Sequence, residues 1–403
     1  MNFNFISIGS LIDSKEASLQ TGPFGTQLKA SEYVESGTPV INVRNIGFGD
    51  IRADNLEFIT DFKAEQLKNH ILCKDDIVFG RKGAVERHSY IQDEQVGWVQ
   101  GSDCLRLRLN TENVDSRFLS YYFKTQPHQD WMHALCAFGA TMASLNQDIV
   151  RRILFPCPSI SVQRQIVAIL SAYDDLIENN KKRIQILENM AEELYKEWFV
   201  RFRFPNWENT EFEKGIPKDW KIEKISNLVD RKKFGRVYKE YELCLEADIP
   251  VIDQSQKTML GFHEGEAEHI ASFESPMIIF GDHSCKMQIM FKNFSLAENV
   301  IPFKSKHNIL LLYLFSLIKD QVETTEYKRH WGELTNKKVL VAPLTLQEKY
   351  TNLIIDKMKL IEILKTKNSL LVNNRDQLLP RLISGKLSVE NLDIQFPPSM
   401  QES

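Results

Sequence analysis

The sequence predicts an α+β protein built twice over. Two globular domains are separated by two long antiparallel spacer helices, coiled-coil-like, in an internal pseudo-two-fold repeat. Three observations carry this expectation. The stretch SVQRQIVAILSAYDDLIENNKKRIQILENMAEELYKEWF, residues 161–199, holds neither Pro nor Gly and repeats apolar residues at every seventh position. A second stretch of the same kind follows Pro343. Strand-like and turn-like text before each of them recurs in one order.

In the first stretch Ile166, Tyr173, Leu187 and Leu194 form one row. Leu170, Ile177, Ile184, Ala191 and Trp198 form a second, with Ile169, Leu176 and Met190 between them. Such rows are the seam of a long helix packed on another. At 1.5 Å per residue the helix runs roughly 60 Å, more than a globular core needs, so it reads as a spacer or docking rail. In the second stretch Pro343–Gln347 matches Ser159–Gln163 at an offset of 184 residues, and Ile354, Ile361, Leu364, Leu371 and Leu378 supply its seam. Thr345 and Glu348 form a capping-box pair at its start. Pro380 should kink or stop it, and Gly385 should cap it. The plainer reading is two unrelated amphipathic helices; what precedes each one decides against it.

The chain has 403 residues, 43% hydrophobic and 26% charged, enough for two or three domains. Its net charge of −4 argues weakly against nucleic acid, although binding needs only a local basic face. Six scattered cysteines without a Cys-x-x-Cys pair fit reduced thiols. The start, MNFNFISIGSLID, lacks the basic and apolar regions of a signal peptide, and the apolar run Ile309 to Ile318 is too short to span a bilayer. A cytoplasmic protein without a membrane segment is expected.

Taken in order, Phe5 to Asp13 alternates and TGPFGTQL (21–28) makes a Gly-rich turn. Pro39 to Val43 reads as a strand ending in Arg44-Asn45, and Asp76 to Gly80 as a strand opening into the basic loop Arg81 to His88. Cys104 to Leu109 alternates with Arg106 and Arg108 on one face, and a helix follows at about Ser116 to Lys124. Then come GATMASLNQDIV (139–150), a strand into Phe155 and the Pro-punctuated entry to the long helix. Between the helices the order returns. Lys224 to Asp230 echoes Ser7 to Asp13, Phe234-Gly235 echoes Phe24-Gly25, Pro250 to Ile252 echoes Pro39 to Ile41, and Ile278 to Gly281 echoes Ile77 to Gly80. The offset shrinks along the chain, as when loops shorten and elements persist. The plan is a first globular domain over 1–157, a central spacer helix over 158–203, a second domain over 204–342 with a connector at 204–220, and a distal helix and tail over 343–403.

Two heads held apart by paired helices would suit a split DNA site, since DNA itself has approximate two-fold axes. The basic segments are placed for that. Arg81, Lys82, Arg87 and His88 follow a strand end; Arg231, Lys232, Lys233, Arg236 and Lys239 interleave with Phe234 and Tyr238; Lys328, Arg329, His330 and Trp331 form a third cluster. Arg pairs bidentately with guanine and Asn or Gln with adenine, which gives Arg44, Asn45, Gln254 and Gln256 possible reading roles. A solvated surface loop is the plainer account of any one cluster.

Catalytic signatures are missing. Gly385-Lys386 is followed by Leu387, so there is no P-loop. The only Pro-Pro, at 397–398, follows Phe396, so the Asn/Asp-Pro-Pro-aromatic motif of amino-methyltransferases is absent. Asp61-Phe62-Lys63 is a chance-level match to a nuclease motif. His128, His133 and Cys136 have no standard zinc spacing and read as a helix edge.

With GPFGTQL, SEYVESGTPVINVRNI (31–46), DDIVFGRKG (75–83) and GATMASLNQ (139–147) in view, the first domain resembles a target-recognition domain of type I restriction–modification specificity subunits. Pro158 to Gln163 with QIVAIL (165–170) and Asp174 resembles that family's first conserved helical region, and Pro343 to Leu387, ending LLPRLISGKL, its distal one. The resemblance covers essentially the whole chain. It implies the non-catalytic specificity subunit of an adenine-N6 methyltransferase and ATP-dependent restriction complex, each recognition domain reading half of an asymmetric bipartite site in double-stranded DNA. Thr26, Thr141, Ser144 and Lys286 then join the DNA-contact residues above. The helices would set the gap and dock two methyltransferase subunits, with restriction (helicase-nuclease) subunits joining through them. S-adenosylmethionine, ATP and Mg²⁺ would sit on those partners and not on this chain. The second domain departs most, with Lys233 to Arg236 in place of the GPFG turn. The alternative is an interaction scaffold or anti-phage adaptor that no longer reads DNA. A self-sufficient methyltransferase or nuclease is opposed by the missing motifs.

Overall fold

A computed structural model describes residues 3–136, 144–244, 247–255, 259–306, 308–324, 328–390, 392–397 and 400. The chain forms two compact units, each cut across both long helices. One comprises 1–178 and 369–403, the other 179–368. The sequence-drawn boundaries lie instead at the helix ends.

In the first unit the strand Phe5–Ser7 pairs antiparallel with Leu154–Pro156. Ser7 then caps the helix Ile8–Asp13, its hydroxyl accepting from the Ser10 N–H at 3.0 Å. A five-stranded sheet follows, in the order Ala17–Thr21, Cys104–Leu109, Ile77–Gly80, His88–Tyr90, Phe48–Gly49. A smaller sheet is centred on Thr38–Ile41, antiparallel to Glu57–Ile59 and parallel to Val99–Gln100. Apolar alternation on Cys104–Leu109 buries Leu105 and Leu107 under Leu119 and Phe123. Arg106 and Arg108, on the other face, clasp the fully buried Asp76: Arg108 Nε and Nη2 reach its two oxygens at 2.7 Å each. They hold the fold and offer no reading surface.

The second unit repeats this order. Lys221–Lys224 pairs antiparallel with Lys338–Val341, and a short helix Ile225–Leu228 follows directly. The main sheet runs Val229–Arg231, Val300–Ser305, Met277–Gly281, Met287–Met290. Ile249–Ile252 is antiparallel to Gly261–His263 and parallel to Ser295–Leu296, the pairing pattern of Thr38–Ile41. The echoes between residues 7 and 13 and between 224 and 230 are thus equivalent strand-to-helix junctions, and Ile8 and Ile225 are both fully buried there.

The two long helices span Ile160–Tyr195 (36 residues) and Leu344–Ile383 (40 residues). They pair antiparallel within each unit. In the first, Val162, Ile166 and Leu170 pack with Leu379, Leu382 and Ile383; in the second, Asn180 Nδ2 donates to Asn368 Oδ1 at 2.8 Å and Glu188 meets Lys365 at 3.6 Å. Of the seam residues, Ile166, Leu170, Ile177, Ile354, Ile361 and Leu364 are buried, and Tyr173, Ile184, Leu187, Leu194, Leu371 and Leu378 are half-buried. Two expectations need correction, that Leu176 and Met190 lie in the seam and that Pro380 stops the second helix. Leu176 and Met190 are about half exposed and lie off the seam. Asn180 is 8% exposed and paired with Asn368, so the helices meet there through a buried polar contact. The second helix runs three residues past Pro380 to Ile383, and Gly385 follows as the expected cap, at a φ of +72° that glycine adopts without strain.

Candidate nucleic-acid interface

In the first unit three sequence-distant loops meet at one end of the main sheet. The strand Ala17–Thr21 leads into the turn at Gly22, where an added Cβ would lie 1.9 Å from the Gly101 carbonyl oxygen. Only glycine permits so close an approach of two backbones. The loop after Ile77–Gly80 is tied to the same place: the Arg81 N–H donates to the Asp103 carbonyl at 2.9 Å and the Leu145 N–H to the Arg81 carbonyl at 2.8 Å. Gln147 Nε2 donates to the Thr21 hydroxyl at 2.9 Å. The GPFG turn, the RKG loop and the SLNQ segment therefore form one surface.

On that surface Lys82 is exposed and 3.1 Å from Asp103. Arg81 is half-buried, with Nε 3.5 Å from the Leu145 carbonyl. Thr26 and Ser144 are exposed, and Phe24 beside them is 67% exposed. Thr141 lies outside the described residues. Arg44 is exposed, paired with Glu57 at 2.8 Å and bonded through Nε to the Asn55 carbonyl at 3.2 Å. Arg87 is half-buried, its guanidinium over the Phe48 ring.

Two residues expected at the DNA surface, Asn45 as a reader and His88 in the basic loop, do structural work instead. Asn45 is fully buried; its amide nitrogen donates to the Arg52 and Asp54 carbonyls and its oxygen accepts from the Asn42 N–H. His88 is fully buried against Phe79 and Phe123, with Nε2 2.8 Å from the Ser120 hydroxyl. Burial, helped by Lys124 and His128, holds its pKa well below the ordinary histidine value, so it is a neutral core group.

The second unit builds the equivalent surface with other chemistry. The Asp282 N–H donates to the Asn299 carbonyl and the His330 N–H to the Asp282 carbonyl, both at 2.8 Å. These bonds match those of Arg81 with Asp103 and Leu145. Asp282 thus stands where the first unit has Arg81, His283 where it has Lys82, and Arg329 where it has Ser144. His330 takes the place of Leu145, which explains its burial and removes it from the reading set. A recess of about 300 Å³ opens here among Arg231, Phe234, Asp282, Asn299 and Arg329. Arg231 lies over the Phe234 ring at 5.0 Å.

Around it, Gln254 Oε1 accepts from the His283 N–H at 3.0 Å and Lys286 Nζ donates to the Ser255 carbonyl at 2.6 Å. Burial lowers the pKa of Lys286, with Asp253 opposing. Gln256 lies outside the described residues. Lys232 is ion-paired with Asp230, and Arg236 with Glu242 at 2.6 Å. Lys233 is exposed. Sequence reading missed Asp103, Asp282 and Asn299. The 201-residue offset between Gly80 and Gly281 was the available signal, since it sets Asp282 directly on Arg81. Among the described residues no group of three metal-ligating side chains occurs and no helix is long and apolar enough to cross a membrane.

The geometry defines a twice-built α+β protein with long paired helices and a loop-built polar surface on each unit. The family described as type I restriction modification DNA specificity domain matches residues 23–189. The chain is 29% identical over 316 residues to the type I restriction enzyme MjaIX specificity subunit of Methanocaldococcus jannaschii, spanning 70% of this chain and 71% of that one. It is 21% identical over 387 residues to the putative type I restriction enzyme MjaX specificity subunit of the same organism, 88% of each chain. The crystal structure of the type I restriction–modification S subunit from M. genitalium shares the fold, with a TM-score of 0.60 at 18% identity over 95% of this chain and 96% of that one. The match to the specificity-domain family lies in the first unit and the first long helix, and the likeness to type I specificity subunits runs along most of the chain.

Proposed function

We propose that this chain is the sequence-reading subunit of a type I restriction–modification complex, each unit recognising one half of a bipartite site in double-stranded DNA. The observation that carries the reading is the convergence of the GPFG, RKG and SLNQ segments on one sheet end, repeated with altered side chains on the second unit. Equivalent scaffolds with different polar groups suit two half-sites of different sequence. The altered chemistry of the second unit favours this reading over a scaffold that has lost DNA recognition, because polar side chains remain exposed and mutually oriented there.

In this proposal the chain positions the chemistry and does not perform it. Two methyltransferase subunits and the restriction subunits act on the DNA in the cytoplasm, and S-adenosylmethionine, ATP and Mg²⁺ bind to them. The helices set the gap between half-sites, and the recognition domains correspond to 1–157 and 204–342. The test is methylome sequencing of a host with and without the gene, paired with assays of the purified chain. One bipartite adenine-methylation motif should vanish with the gene, and the chain alone should transfer no methyl groups. Methyl transfer by the highly purified chain, or an unchanged methylome, would sink the proposal.

A further inference from the structure

We infer that Arg329 is a base-reading residue of the second unit, aimed by Asp282, and that the base it reads is guanine. The inference rests on the proposed DNA-reading function and adds to it a residue and a base.

Arg329 is the most exposed of the arginines on this surface with a carboxylate beside it, its side chain 77% exposed and its Nε 3.8 Å from Asp282 Oδ2. Asp282 is itself rigidly held. Its Oδ1 accepts from the Trp331 N–H at 2.9 Å, its N–H donates to Asn299, and its carbonyl accepts from His330. A fixed carboxylate behind a guanidinium limits the rotamers the arginine samples, so less freedom is lost when its fork pairs with a planar acceptor edge. Guanine offers O6 and N7 as that edge in the major groove, and no other base presents two acceptors there.

The neighbouring basic groups are arranged differently. Arg231 is stacked on Phe234, and among the described residues no carboxylate pairs with it, an arrangement suited to a phosphate. Lys328 is paired with Glu333 at 3.7 Å. In the first unit the position equivalent to Arg329 is Ser144, so the two units cannot read the same base from this point. The distinction between the half-sites then begins at one exchanged position on a shared scaffold.

The experiment uses the full chain assembled with its modification subunits, presented with duplexes in which every position of the methylated site is varied in turn. Arg329→Ala and Arg329→Lys should each reduce discrimination at a single G·C position by about ten- to a hundredfold. The other half-site should be untouched. Lysine keeps the charge but not the fork, so its failure to restore discrimination separates base reading from charge alone. Asp282→Asn should weaken discrimination at the same position, with thermal melting of the Arg329→Lys protein serving as the folded reference. A uniform loss across all positions, with a salt slope lower by roughly one, would make Arg329 a phosphate contact and overturn the inference. Unchanged discrimination in Arg329→Lys would overturn it as well. If the unaltered complex shows no preference in either half-site, the DNA-reading proposal itself has failed, a result distinct from both.

Discussion

The two units solve the same joint in opposite ways. In the first, the head meets the long helices through a polar knot: Asp174 accepts from the Tyr121 hydroxyl and from Arg375 Nη1, each at 2.6 Å, with Lys124 at 3.9 Å. In the second, repeat-equivalent positions carry Met358 for Asp174, Ser316 for Tyr121 and Ala191 for Arg375. There the side chains leave a cavity of about 410 Å³, rimmed by Glu188, Glu192, Lys319 and Lys365. One feature is kept in both. Gln163 accepts from the Asp115 N–H at 2.9 Å and donates to Asn113 and Pro158 carbonyls; Gln347 accepts from the Leu310 N–H at 3.0 Å and donates to the Ala342 carbonyl. Both glutamines are essentially fully buried. Where buried backbone groups must be satisfied, the repeat keeps the side chain. Where space only has to be filled, polar and apolar solutions interchange.

Acid should break the comparison most strongly. Burial lowers the pKa of His128 to about 3 and that of His88 well below the ordinary value, and both lie in the first unit. A histidine held neutral in the folded state binds its proton more readily when unfolded. Its contribution is therefore complete above the unfolded pKa of about 6.5 and is lost as pH falls toward the folded value. The loss is about 1.4 kcal/mol per pH unit for each such group. In the second unit His269 is similarly lowered by burial, but more modestly. Hydrogen exchange between pH 7.5 and 4.5 should show residues 3–136 opening before 259–306. His128→Leu should narrow the difference; equal opening of both units would refute it.

Next in size are the glutamines. Gln163→Ala and Gln347→Ala each leave a buried N–H and at least one carbonyl without their partner, at a cost of about 2–3 kcal/mol. Denaturant titrations should find the two losses equal within about 0.5 kcal/mol, and a harmless change at one site would mean the latch is not shared.

A smaller gain is expected from filling the cavity of the second unit. Ala191→Leu adds apolar volume where the first unit has an arginine, and should stabilise by about 1 kcal/mol. Destabilisation on calorimetry would show that Ala191, 5% exposed and bonded through its carbonyl to the Tyr350 hydroxyl at 3.3 Å, is already tightly packed.

The smallest effect concerns Lys82 of the first unit, whose side chain is 57% exposed. Lys82→Ala should lower the salt slope of DNA binding by roughly one, with half-site preference kept. A changed base preference would move it from the phosphate contacts to the readers.

The sequence by itself determined the repeat, the α+β class and the paired helices. Heptad rows, a Pro-Gln helix entry and matched strand-to-helix junctions are local patterns, and local patterns survive without coordinates. Gly385 was legible as a cap for the same reason. What only tertiary structure decided is which polar residues face solvent. Asn45 and His88 sit in basic, turn-rich text, yet Asn45 is folded back onto the Arg52 and Asp54 carbonyls of its own loop and His88 is taken into the core beside Ser120. His330 looked like part of a basic cluster, but its backbone fills the place of Leu145. Asp282 looked like nothing in particular, and the fold set it behind Arg329. Burial and partnership of a polar side chain depend on contacts between distant segments, and a chain read in one dimension does not contain them.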